Sequence, residues 1–186
     1  MTTAFTVGDL LIAPPAIPDN RFSECVLLIT QETNLGTHAL CLNKSSGHTV
    51  NEVIEPLGLE LVKDLVLYWG GPVGLNTVWM LHSSEWAHEN TQAVNEHWSI
   101  TSNMQMFHEY LAGNRPRYCR FMIGHSAWAP GQLDMELQGE GPWSRDSSWL
   151  VAQSPSPKEM YSLGPSQLWH MSCGLAGNQA VSSWLA

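Results

Sequence analysis

Positive charge is scarce in this sequence: 8 Lys and Arg stand against 17 Asp and Glu, a formal net charge of −9 over 186 residues. A chain of that sign repels phosphate backbones and anionic lipid at long range, which argues against nucleic acid as a partner. Only Arg115, Arg117 and Arg120 cluster, on a turn entering an apolar run, where a solvated strand edge accounts for them. No helix-turn-helix with a basic recognition face is visible. Long hydrophobic runs are missing too: none approaches the roughly 18 to 20 residues that cross a bilayer. Met1 to Gly8 holds no Lys or Arg and no apolar stretch with a small-residue cleavage site. The reading is a soluble, cytoplasmic protein with no membrane association.

Metal and thiol chemistry lack their usual spacings. Cys25, Cys41, Cys119 and Cys173 form no C-x-x-C pair and have no histidines at zinc-finger distance, so they read as free, mostly buried thiols in a reducing compartment. An even count also permits two disulfides. His82, His125 and His170 show neither H-x-x-x-H nor H-E-x-x-H spacing, so no metal is expected, and nothing in the sequence calls for a cofactor.

Apolar residues, by contrast, make up 44% of the chain and nine are tryptophan, enough for one sizeable core. One domain over residues 1–186 is therefore expected, with the tryptophans in the core or in pocket walls. Asp9 to Ala13, Cys25 to Thr30 and His38 to Leu42 read as strands, the last two forming a hairpin across Asn34 to Gly36. Val50, Val53, Ile54 and Leu57 recur at helical spacing after Thr49 and stop near Gly58. Strands follow at Leu65 to Tyr68, Thr77 to Leu81 and Tyr118 to Ile123. Between them, Ser83 to Ala93 reads as loop and Met104 to Ala112 as a helix capped from Thr101-Ser102-Asn103. Gly124-His125-Ser126 reads as a turn and Gly131 to Leu137 as a helix. A short strand at Trp149 to Ala152 lies between Gly/Pro/Ser-rich loops, Ser154 to Lys158 among them, and a last helix spans Gln167 to Cys173. This irregular interleaving favours α+β over a regular βαβ sheet.

Several blocks stand in order along nearly the whole chain. Gly8-Asp-Leu-Leu-Ile-Ala13 is followed by Pro15, Asp19 and Phe22; Gly36 leads to Leu40-Cys-Leu-Asn43-Lys44; Gly70-Gly71-Pro72-Val73 leads to Leu81-His82. Gly124-His-Ser-Ala-Trp128 runs into Gly131-Gln132-Leu133 and Glu136-Leu137. Taken together, they resemble the YqgE/AlgH family. The sequence departs at Ala39, where a glycine is usual, at His125, in an aromatic place, and in an insertion about residues 139–148 that delays the Trp149-Leu-Val-Ala152 element. The resemblance implies an α+β fold, with a β-barrel-like or mixed sheet core flanked by helices, found mainly in bacterial cytoplasm. It supplies no catalytic residues, although some members carry the label of transcriptional regulator of alginate synthesis.

The distinctive residues are glycines, prolines, aromatics and amides rather than a catalytic set. Asp19, Phe22, Asn43, Lys44, Gly70, Gly71, Pro72, His82, Trp128, Gln132 and Glu136 are the candidate binding residues. Each has a structural alternative. Asp19 and Asn43 suit Asx turns, Gly70-Gly71-Pro72 suits a tight turn because no Lys or Ser/Thr completes a phosphate loop, and Gln132 and Glu136 share a helix face as core braces. The leading expectation is a non-enzymatic binding or regulatory protein whose partner is a protein or a small ligand. One alternative is a serine hydrolase in which Ser126 occupies a nucleophile elbow, with Asp146 and His170 following in triad order; the other is direct transcriptional regulation.

Overall fold

The computed structural model describes residues 4–140 and 148–185, with side chains of the last helix described as far as residue 177. Ten strands and five α-helices are built in the order β1 (Asp9–Ile12), β2 (Val26–Thr33), β3 (Gly36–Cys41), β4 (Ser45–Thr49), α1 (Val50–Ile54), β5 (Val66–Trp69), β6 (Val73–Ser83), β7 (Thr91–Ala93), β8 (Trp98–Thr101), α2 (Gln105–Leu111), β9 (Cys119–Trp128), α3 (Gln132–Gln138), β10 (Leu150–Gln153), α4 (Pro157–Tyr161) and α5 (Pro165–Leu185). Their sheet runs β10-β1-β2-β3-β9-β6-β8-β7, with β5 paired to both β4 and β9. It curls into a half-barrel flanked by helices, the α+β arrangement the sequence implies.

Strand β1, residues 26–29 of β2 and residues 39–42 at the end of β3 are unbroken apolar runs because both of their faces are buried. Leu10, Ile12, Val26, Leu28, Leu40 and Leu42 point to one side, where Met160 of α4 and Leu168 and Ala176 of α5 cover them. Leu11, Leu27, Ile29, Ala39 and Cys41 point to the other, against Phe22, Trp128, Leu133 and Trp149. A third cluster packs α1 and α2 onto β5, β6 and β9 through Ile54, Phe107 and Phe121, the two rings stacked at 5.0 Å.

Strand β9 organises the sheet. One edge carries β6 along most of its length; the other carries β5, in parallel, at Met122 and Ile123 and then β3 at Ser126 to Trp128. The switch between partners falls at Gly124, where the chain of Gly70-Gly71 crosses. Gly70 N–H donates to Ile123 C=O at 2.8 Å and Gly70 C=O accepts from Cys41 N–H at 2.9 Å, so this one residue bridges β9 and β3. A Cβ on Gly70 would overlap Gly124 C=O, one on Gly71 would overlap the His125–Ser126 peptide, and one on Gly124 would overlap Gly71 C=O. Gly124 also sits at φ +72°, which glycine adopts freely.

Several sequence expectations are corrected here. Gly124-His125-Ser126 is not a turn: it lies inside β9, with Gly124 a kink under the crossing chain. Ser83 to Ala93 is not all loop, since it contains β7, and the short strands β4 and β8 add to those the sequence signals. Ser154 to Lys158 runs into α4, whose Ser156 and Glu159 form a capping box with Pro157 in the first turn. Cys25 and Cys41, expected as free thiols, are paired with their Cα atoms 6.4 Å apart, whereas Cys119 and Cys173 are free. The expected insertion falls largely on residues 141–147, outside the described residues.

Gly124→Ala is expected to cost about 3 kcal/mol or more, from overlap at the crossing added to the positive φ. Gly58→Ala has a similar φ of +74°, but its new methyl group would meet no atom within 4 Å, and it should cost only about 1 kcal/mol. Urea denaturation of the two variants checks the difference.

Candidate functional site

On the sheet face that carries Trp128, Leu133 of α3, Phe22 of the loop after β1 and Trp149 gather against the strands. That loop is held by Asp19, which caps a 3-10 turn over Asn20–Phe22 by accepting the Arg21 N–H, and so aims the Phe22 ring inward. Arg21 folds back on the same carboxylate through Nε, 3.1 Å from both oxygens, and Nη2, 2.7 Å from Oδ2. The Arg21 guanidinium holds the Asp19 carboxyl below its usual range. Phe22 meets the Trp149 ring edge to face at 5.5 Å, and Trp149 meets Trp128 in the same manner at 6.1 Å.

Helix α3 supplies the polar anchor. It starts after Gly131, and Gln132 Oε1 accepts the Ala129 N–H, as expected of a loop brace. One turn on, Glu136 is only 6% exposed and does not face solvent. Its Oε2 accepts the indole N–H of Trp128 and of Trp149, both at 2.9 Å, while Oε1 accepts from Gln132 Nε2 at 3.0 Å. Three donors compensate the buried carboxylate and fix both indoles.

These elements enclose a cleft of about 290 Å³ lined by Asp19, Arg21, Phe22, Pro72, Ser126, Ala127, Trp128, Gln132, Met135, Glu136, Glu140 and Trp149. Ser126 is 2% exposed, and its hydroxyl has no hydrogen-bond partner among the described residues. Asp19, Phe22, Pro72, Trp128, Gln132 and Glu136 thus meet in one place from three separate stretches of chain. Arg21, Met135, Glu140 and Trp149 join them from outside the candidate set; the aromatic Trp149, so close to the Trp128 block, is the signal in the sequence that could have found them.

The remaining candidates go elsewhere. Gly70 and Gly71 form the backbone crossing, and Lys44 lines an adjoining cavity. Asn43 is buried as a brace: its Oδ1 accepts the Val26 N–H at 2.9 Å, and its Nδ2 donates to Glu24 C=O at 2.8 Å and Pro165 C=O at 3.2 Å. It ties the turn before β2 to the start of α5. His82 is wholly internal, with Nδ1 3.0 Å from Ser83 C=O and Nε2 2.9 Å from Thr101 Oγ1. Burial lowers its pKa, so Nδ1–H donates to the carbonyl and Nε2 accepts the Thr101 hydroxyl.

Among the described residues Ser126 and His170 form no hydrogen bond with each other. Ser126 stands within a strand rather than on a strand-to-helix elbow, and His170, exposed on α5, has its Nδ1 2.8 Å from Ser166 C=O. Asp146 lies outside the described residues. Among the described residues no group of three His, Cys, Asp or Glu side chains could hold a metal ion.

A family model described as AlgH-like matches residues 10–180. A UPF0301 protein of Methylococcus capsulatus is 30% identical over 158 residues, covering 82% of this chain and 86% of that protein. One of Gluconobacter oxydans is 33% identical over 150 residues, covering 78% and 77%. The solution structure of AlgH from Pseudomonas aeruginosa superposes with a TM-score of 0.75 at 24% identity, over 95% of this chain and 92% of that one. An X-ray structure of a Corynebacterium diphtheriae protein gives 0.69 at 22% identity, over 91% and 86%. At these identities the two structures bear on the fold alone.

Glu136→Ala leaves two buried indole N–H groups without their acceptor and is expected to cost about 3 kcal/mol, with a red-shifted tryptophan emission; Glu136→Gln, which keeps one acceptor oxygen, should lose less. Chemical denaturation followed by fluorescence measures both. The lowered His82 pKa sets a pH dependence. The unfolded chain takes up a proton near the usual histidine value of about 6.5 while the folded one resists, so this stability is full above pH ~6.5 and is lost as pH falls below it. His125, lowered by burial and by neighbouring His38, acts in the same direction. Melting temperature should therefore fall between pH 7 and 5, and His82→Gln should flatten that slope.

Proposed function

The chain belongs to the AlgH-like family, and on that premise we propose that it is a non-enzymatic binding or regulatory protein of the cytoplasm, acting through the cleft bounded by Phe22, Trp128 and Trp149. The Ser126 hydroxyl carries this reading. A buried hydroxyl with no partner costs about 1–3 kcal/mol, and a ligand that offers a hydrogen bond at the cleft floor offsets that cost. Two other polar sets in the wall are paired internally, Asp19 with Arg21 and Glu136 with both indoles and Gln132. Ser126 is the unpartnered buried group at the floor, set among aromatic surfaces that supply apolar area. A cleft of this size takes one ring system or one large side chain, which supports a small ligand or a single anchoring residue of a protein partner. The net charge of −9 favours either over DNA, including for the regulator label that the family resemblance carries. No described helix is long and apolar enough to cross a membrane.

An NMR screen of small ring compounds tests the proposal. Compounds that bind should move the indole N–H signals of Trp128 and Trp149, and Ser126→Val, which fills the floor, should weaken them at least about tenfold while the rest of the spectrum is kept. If no compound moves those two signals, or the filled variant binds equally well, the cleft is only a packing fault.

A further inference from the structure

The cleft is not isolated. Arg21 and Pro72 line both it and a second cavity of about 420 Å³, whose other walls are Lys44, Ser45, Trp69 and Leu75. The two cavities adjoin at Arg21 and Pro72, and their charges differ. The cleft end holds three carboxylates, Asp19, Glu136 and Glu140, of which Asp19 is paired with Arg21 at the junction. The second end holds two cations, Lys44 and Arg21, and no carboxylate.

Lys44 is placed there by the backbone. Its carbonyl accepts the Trp69 N–H at 2.8 Å, which fixes the turn from β3 into β4 beside the crossing. Among the described residues its ammonium makes no ion pair within 4.0 Å; Glu24 acts on it only from a distance. Partial burial lowers its pKa, so the charge is held where hydration is incomplete, a cost that a bound anion relieves. Arg21 is committed to Asp19 through Nε and Nη2, and its Nη1 edge donates to nothing among the described residues. An unpaired ammonium beside a free guanidinium edge, next to an aromatic cleft with one open hydroxyl, fits one kind of molecule.

Resting on the cleft reading, we propose that the natural ligand is a small aromatic carboxylate, its ring against Trp128 and Trp149 over Ser126 and its carboxylate reaching across Pro72 to Lys44 and Arg21. The carboxylate supplies the negative charge that the Lys44 end lacks, and the ring supplies the apolar area. A cationic ring compound gains nothing at that end.

Three probes sharing one ring separate this inference from the reading beneath it: indole-3-acetate, indole and tryptamine, which carry a negative, no and a positive charge. Binding is followed through the Trp128 and Trp149 indole N–H signals of the full chain. Indole-3-acetate should bind about tenfold more tightly than indole, with the excess falling as salt is raised. Lys44→Met should bring it down to the level of indole, and Lys44→Glu should place tryptamine first; neither breaks an ion pair of the described residues, so the fold is kept. Equal binding of the acid and indole, or tightest binding of tryptamine to the unaltered protein, overturns the carboxylate assignment and leaves the cleft reading standing. If none of the three moves those signals, both fall.

Discussion

Three glycines without room for a single methyl group hold this fold in register. Gly70 and Gly71 lie directly on Gly124, and the contact is backbone on backbone, so no side-chain rearrangement can relieve an added atom. Because Gly70 bonds both Ile123 and Cys41, the crossing wedges between β5 and β3 at the point where β9 exchanges one neighbour for the other. Everything on the Trp128 side of that point follows from it. The crossing delivers Pro72 to the rim of the cleft, turns Ser126 to its floor and sends Trp128 toward α3.

A second constraint works at shorter range. One carboxylate, Glu136, receives hydrogen bonds from a helix amide, a strand indole and the indole beside β10. Burying a charge is expensive, and the three donors convert that expense into orientation: the two tryptophans cannot rotate without stranding an N–H in an apolar wall. The aromatic surfaces are thereby set before any guest arrives, which spares a ligand the entropy of ordering them.

Much of the fold was legible in the sequence because β1, residues 26–29 of β2 and residues 39–42 at the end of β3 are buried on both faces and therefore read as unbroken apolar runs. The α+β class, the β2–β3 hairpin and α2, whose Met106 N–H is taken by Asn103, were likewise readable from local rules. What failed was non-local. Gly124 reads as a turn after a strand because glycine usually breaks one, but here it answers to a chain more than fifty residues earlier. Strands β4 and β7 are short and polar, with one edge exposed, so no alternation marks them. For α4 the signal was present in Ser156, Pro157 and Glu159, hidden among prolines and serines that suggest a loop. Asp19, Phe22, Pro72, Trp128, Gln132 and Glu136, which the motif blocks pick out, line one cleft, yet that Asn43 is a brace and His82 an interior group depends on partners no spacing reveals.

The pairing of β1 with β10 bears on how the chain is made. Leu10 sits opposite Ala152 and Asp9 opposite Gln153, so β1 is flanked on one side by a strand made much later in the chain. Until β10 leaves the ribosome, β1 presents a free edge of apolar residues, and the β3–β9 seam must wait for Ser126 as well. Vectorial synthesis therefore gives this protein little that can finish early. The half-barrel closes only once β10 has been made, with α5 laid over the β1–β10 seam, and the nascent chain carries that open edge until then.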